Sequence, residues 1–121
     1  MSKTTSIRLT HRICNDLRIV LRKKSDEVLV TNRNEYVHYK KVAEQLDREK
    51  ASVKGGVTVH MGYWSRSALL VLRELLFALL EDCTQVQIRR AVLKRIATIE
   101  DYAEVSAVER LGNIVQLKVA S

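Results

Sequence analysis

Thirteen residues near the middle of the chain, Ala68-Leu69-Leu70-Val71-Leu72-Arg73-Glu74-Leu75-Leu76-Phe77-Ala78-Leu79-Leu80, restrict its fold more than any other stretch. Only Arg73 and Glu74 interrupt the apolar run. Ala, Leu, Arg and Glu are strong helix formers, and neither Gly nor Pro breaks the sequence. A helix that is apolar around its whole circumference has to be buried on every side. In a chain of 121 residues, a second copy is the simplest source of that cover, so the run predicts a dimer. It is too short to span a bilayer, which takes about 18 or more apolar residues. Its Arg73–Glu74 centre would also be costly in lipid.

That length suits one compact domain. Apolar and charged shares of 46% and 29% are those of a globular chain rather than a disordered one. Met1 to Thr10 is polar, unlike a secretion signal, and Met1 to Ser6 is expected to fray. Cys14 and Cys83 stand far apart, without the spacing of a disulfide framework or a zinc site. Neither a metal nor another cofactor is expected, and free cysteines suit a reducing bacterial cytoplasm. The formal charge of +7 favours polyanionic partners, nucleic acid above all. Most of the excess lies in residues 1–54, with thirteen Lys and Arg against seven acids.

Residues 1–54 read as a basic extension of helix, short strand and helix that packs on a core formed by 55–121. Thr10 can cap a helix from His11 to about Lys24, with Ile13, Leu17, Val20 and Leu21 on one stripe. Its other faces carry Arg12, Arg18, Arg22, Lys23 and Lys24. Ser25-Asp26 suggests a turn, Glu27–Thr31 a short strand, and Glu35 to about Lys50 a second helix. A basic connection ends at Gly55-Gly56. Val57-Thr58-Val59-His60-Met61 alternates, as a half-buried strand does, with Thr58 and His60 on its open face. Tyr63 and Trp64 are expected as core or interface anchors, and His11 and His38 as surface residues.

Ser65 is placed to cap the leucine-rich helix, which should run to about Asp82. Thr84-Gln85-Val86-Gln87 has the form of a capping box, with Thr84 at the N-cap. The helix it opens carries Ile88, Val92, Ile96 and Ile99 on one stripe and Arg89, Arg90, Lys94 and Arg95 elsewhere. A last helical portion should end at Gly112, followed by a strand over Ile114–Val119. The sequence shows no internal repeat.

The order of alternating strand, buried helix, tight turn and capped basic helix over residues 55–99 resembles the ribbon-helix-helix module of Arc and methionine-repressor type. The residues that carry the resemblance are Val57–Met61 as the ribbon and Thr84-Gln85-Val86-Gln87-Ile88-Arg89-Arg90-Ala91 as the opening of the second helix. The fold class this implies is mainly α with short β, a ribbon-helix-helix-like dimer with N- and C-terminal extensions.

On that resemblance two chains, possibly four, associate by pairing their strands into a ribbon that enters the DNA major groove. Val57, Val59, Met61, Leu69, Leu72, Leu76 and Leu79 would form the dimer core. Thr58 and His60 would read bases. Lys54, Thr84, Gln85, Arg89 and Arg90 would hold phosphates at a helix N-terminus. The function implied is a non-enzymatic, nucleoid-associated transcriptional regulator that recognises double-stranded DNA and works without a membrane. Small basic regulators of this kind are frequent on plasmids and other mobile elements.

Two other readings compete. Residues 40–53 resemble a helix-turn-helix, with Ala43, Leu46 and Val53 at packing positions and Asp47 at the turn. The chain could also be a helical dimerisation or adaptor protein whose basic surface meets RNA or an acidic partner. No phosphate loop, HExxH or nucleophile elbow supports an enzyme.

Overall fold

The computed structural model describes residues 5–49 and 56–106. In chain order the elements are β1 (Ser6–Leu9), α1 (His11–Val28), α2 (Arg33–Arg48), β2 (Val57–His60), a 3₁₀ turn (Met61–Tyr63), α3 (Arg66–Asp82) and α4 (Val86–Tyr102). The architecture is mainly helical with one small antiparallel sheet, β1 against β2. The succession strand, helix, helix therefore occurs twice. No repeat is visible in the residues themselves, because α1 is rich in charge where α3 is rich in leucine.

β1 corrects the expectation of a frayed N-terminus for its last residue and supplies the strand that β2 pairs with. The register sets Ser6 opposite His60, Ile7 opposite Val59, Arg8 opposite Thr58 and Leu9 opposite Val57. Ile7, Leu9, Val57 and Val59 are buried, so the inner face of the sheet is wholly apolar. Strands this short hold only because the apolar face lies on helices; an isolated hairpin is marginal in water. Met61 is buried as expected, but it opens the 3₁₀ turn instead of ending the strand.

The helix boundaries follow their caps. Thr10 Oγ1 accepts from Ile13 N–H at 3.3 Å, Asn32 Oδ1 from Glu35 N–H at 3.2 Å and Ser65 Oγ from Ala68 N–H at 3.2 Å. The strand expected over Glu27–Thr31 is absent. α1 continues through Ser25 and Asp26 to Val28, with Lys24 beside Glu27 at 3.9 Å one turn on. Buried Leu17 and Leu21 anchor that helix, and tertiary packing outweighs the weak turn preference of Ser and Asp. The capping box at Thr84 is also not formed: α4 begins with Gln85 at its N-cap, and no side chain caps it.

α3 packs against α1, α2 and α4. Leu69, Leu72, Leu75, Leu76, Leu79 and Leu80 are at most 3% exposed within the single chain. These six leucines are thus covered by their own chain, while Leu70, Val71 and Phe77 stay half-buried and Glu74 exposed on the remaining side. Val57, Val59 and Met61 join the same core, with Val92, Ile96 and Ile99 of α4 and Val42 and Leu46 of α2. Arg73, which interrupts the run, is itself buried and faces the buried Glu100 of α4, Nη1 to Oε2 3.7 Å. Lys54, Gly112 and the strand expected over Ile114–Val119 lie outside the described residues.

Candidate nucleic-acid interface

The outward face of the sheet is built by alternation. With Ile7, Leu9, Val57 and Val59 turned inward, Ser6, Arg8, Thr58 and His60 are left on the opposite face. Arg8 and His60 are exposed, and Ser6 and Thr58 half-buried. Met61 N–H donates to Thr5 O at 2.9 Å. Alternation along an antiparallel ladder then makes Ile7–Val59 and Leu9–Val57 the hydrogen-bonded pairs. Arg8–Thr58 and Ser6–His60 are the closer, non-hydrogen-bonded pairs, and their backbone groups point to the outer edges. On the β1 edge, Arg95 of α4 donates from Nε to Arg8 O and from Nη1 to Ala91 O, 2.7 Å. That contact holds the backbone beneath Arg8 and covers part of the edge. His60 meets Tyr63 edge-on, with ring centroids 6.3 Å apart.

Thr58 and His60, the expected base readers, therefore do share an outward face. Arg8 was not anticipated there, because Val57–Met61 alone carries no Arg or Lys. The signal was present in Ser6-Ile7-Arg8-Leu9-Thr10, an alternating segment followed by a helix cap, which has the same form as Val57 to Ser65. Tyr63 is 80% exposed and so not part of this chain's core, while Trp64 is buried and donates from Nε1 to Glu49 Oε1 at 3.2 Å.

The expected phosphate contacts separate. Thr84, Gln85 and Arg90 are exposed at the start of α4. Arg89 instead turns back on α3, and Nη1 donates to Leu80 O at 2.6 Å and to Cys83 O at 2.9 Å. It closes the end of the leucine-rich helix, where a cation meets the negative end of the dipole. A cleft of about 250 Å³ brings Arg12 and Asp16 of α1 beside Asp82, Thr84 and Gln85. Arg12 and Asp16 approach within 3.6 Å.

The start of α2 differs in sign. Glu35 lies in its first turn, and Asn32 already occupies one backbone donor. Nearby Glu74 has its carboxyl pushed above the usual range by burial, with Glu35's negative charge adding and Arg73 and Lys24 opposing. α2 runs unbroken through Asp47, so the turn expected there for a helix-turn-helix is helical, and residues 50–53 of that motif lie outside the described residues.

Among the described residues no group of three or more His, Cys, Asp and Glu could hold a metal, and no helix is long and apolar enough to cross a membrane. No family model, curated protein or solved structure matches the chain.

Proposed function

We propose that the chain is a sequence-specific double-stranded DNA-binding protein of ribbon-helix-helix type, acting as a transcriptional regulator. The observation that carries the reading is the sheet's outer face, where Arg8, Thr58, Ser6 and His60 stand in register over an apolar inner face. A two-stranded ribbon fits the major groove, and these are side chains that hydrogen-bond base edges. Arg8 adds the donor fork suited to guanine. The formal charge of +7 supports a polyanionic ligand. Exposed Arg90 supports a phosphate contact that would set the ribbon's register on the duplex, whereas Arg12 in the neighbouring cleft is offset by Asp16 and Asp82.

The adaptor reading has one observation in its favour, a groove of about 380 Å³ between α1 and α2 with Arg18, Arg22 and Lys40 on its walls. Asp26 and Asp47 line the same groove and offset those cations, with Arg18 already 3.9 Å from Asp47.

Gel-shift titration against duplex DNA, single strands and RNA separates the two readings. The DNA reading expects duplex to be bound most tightly, with affinity falling steeply in salt. It also expects Arg8→Ala and the pair Thr58→Ala with His60→Ala to erode sequence preference while the chain stays folded. Equal, salt-insensitive binding to every polymer would sink it.

A further inference from the structure

We infer that one chain is a complete and intrinsically asymmetric reader of duplex DNA, which recognises a short non-palindromic sequence with Arg8 directed at a guanine at one end. The inference rests on the DNA-binding function proposed above and specifies the ligand of that same face.

The first observation is that both strands of the ribbon belong to one chain. A ribbon made from two copies of one strand presents every outward residue twice about a two-fold axis, and a palindromic site mirrors that symmetry. Here the outward rows differ in chemistry. A local two-fold through the Ile7–Val59 pair would superpose Ser6 on Thr58, Arg8 on His60 and Leu9 on Met61. Leu9 and Met61 are both fully buried, so the inner positions agree. Ser6 and Thr58 both offer a hydroxyl, so that pair of positions is nearly symmetric as well. Among the four outward residues the asymmetry lies between Arg8 and His60, a guanidinium at one position and an imidazole at the other.

The second observation is what those two groups can do. Arg presents a planar fork that matches guanine O6 and N7 together, whereas a neutral imidazole has one donor and one acceptor. Arg8 is also the better held of the two. Arg95 fixes its carbonyl on the covered edge, while its side chain stays exposed on the reading face. A strand of four residues spans about 14 Å at roughly 3.4 Å per residue, or about four base pairs. Arg8 stands toward one end of that window and His60 toward the other, so the chain would read it as one directional element.

The test is selection from a random duplex library with the wild-type chain, Arg8→Ala and His60→Arg, together with the mass of the complex on the selected duplex. Helical circular dichroism checks that each variant is folded; both substitutions are at exposed positions. The wild-type chain is expected to select a non-palindromic motif with one chain bound per motif. Arg8→Ala should lower the guanine preference at one end by about tenfold or more and leave the other end unchanged. His60→Arg gives the two related positions, 8 and 60, the same fork, so it should add guanine preference at the far end and turn the motif toward an inverted repeat.

A wild-type motif that is already an inverted repeat, occupied by two chains, would overturn the inference while leaving DNA binding intact. So would base preferences that Arg8→Ala and His60→Arg both leave unmoved. A wild-type chain that retains no duplex would overturn the DNA-binding reading, and this one with it.

Discussion

Among the described residues, Arg73 and Glu100 are the charged residues that the core encloses, and what each does depends on the other. Both side chains are about nine-tenths buried, the closest approach is 3.7 Å, and Arg73 Nε and Nη1 and Glu100 Oε2 have no hydrogen-bond partner. Such a pair contributes little net stability, because removing two charges from water offsets their attraction. Removing one partner is different, since it strands the other. Arg73→Leu should cost about 3–5 kcal/mol in urea denaturation, and Arg73→Met combined with Glu100→Leu should restore most of that loss. Equal costs for the single and double variants would mean that the pair does not act as a unit.

The adjacent Glu74 illustrates a charge that folding disfavours. Partial burial holds its folded carboxyl above the ordinary glutamate range. The folded state therefore holds that proton more tightly than the unfolded chain, and Glu74's contribution to stability falls as pH rises through its folded pKa. Glu74→Gln should stabilise the protein at neutral pH, and the gain should disappear as pH falls below the ordinary glutamate range. A gain that is the same at acid and neutral pH would assign the effect to packing instead.

At the scale of elements, the end of α3 and the start of α4 divide two neighbouring arginines between different tasks. Arg89 satisfies the last carbonyls of α3, whereas Arg90 points to solvent. Arg89→Ala should lower stability by roughly 1.5–3 kcal/mol, the range for hydrogen bonds to a charged group. Arg90→Ala should leave stability within about 0.5 kcal/mol and weaken DNA binding. Paired urea melts and binding titrations distinguish the two; the reverse pattern would return Arg89 to the phosphate.

Several elements were legible in the chain itself. The leucine-rich helix and its Ser65 cap, the Ile88–Ile99 stripe and the alternation of Val57–Val59 all follow from local periodicity and capping. β1 was not recognised, because a four-residue strand has no stability of its own and shows itself only against its partner. Arg89's role was equally hidden, since a cation beside a helix N-terminus in sequence lies, in space, beside the C-terminus of the preceding helix.

For the whole molecule, closure of the sheet within one chain changes what folding requires. α3 finds its cover in α1, α2 and α4, so the melting temperature of the free protein should not depend on its concentration. A steep rise with concentration would show that folding and association are coupled. Binding should scale with the contacts of one chain: if it neutralises about three phosphates, log affinity should fall against log salt with a slope near −3. A slope twice as steep would indicate two chains on each site.

The sequence by itself determined that a helix over residues 66–82 must be largely buried, because apolar residues occupy most of its circumference, and that the chain carries a strong positive charge. Only the tertiary structure decided what buries that helix. Burial is indifferent to whether the covering surface comes from the same chain or another, whereas a hydrogen-bonded strand register names its partner. That register joins Ser6–Leu9 to Val57–His60, and so sets Arg8 beside Thr58 on one face.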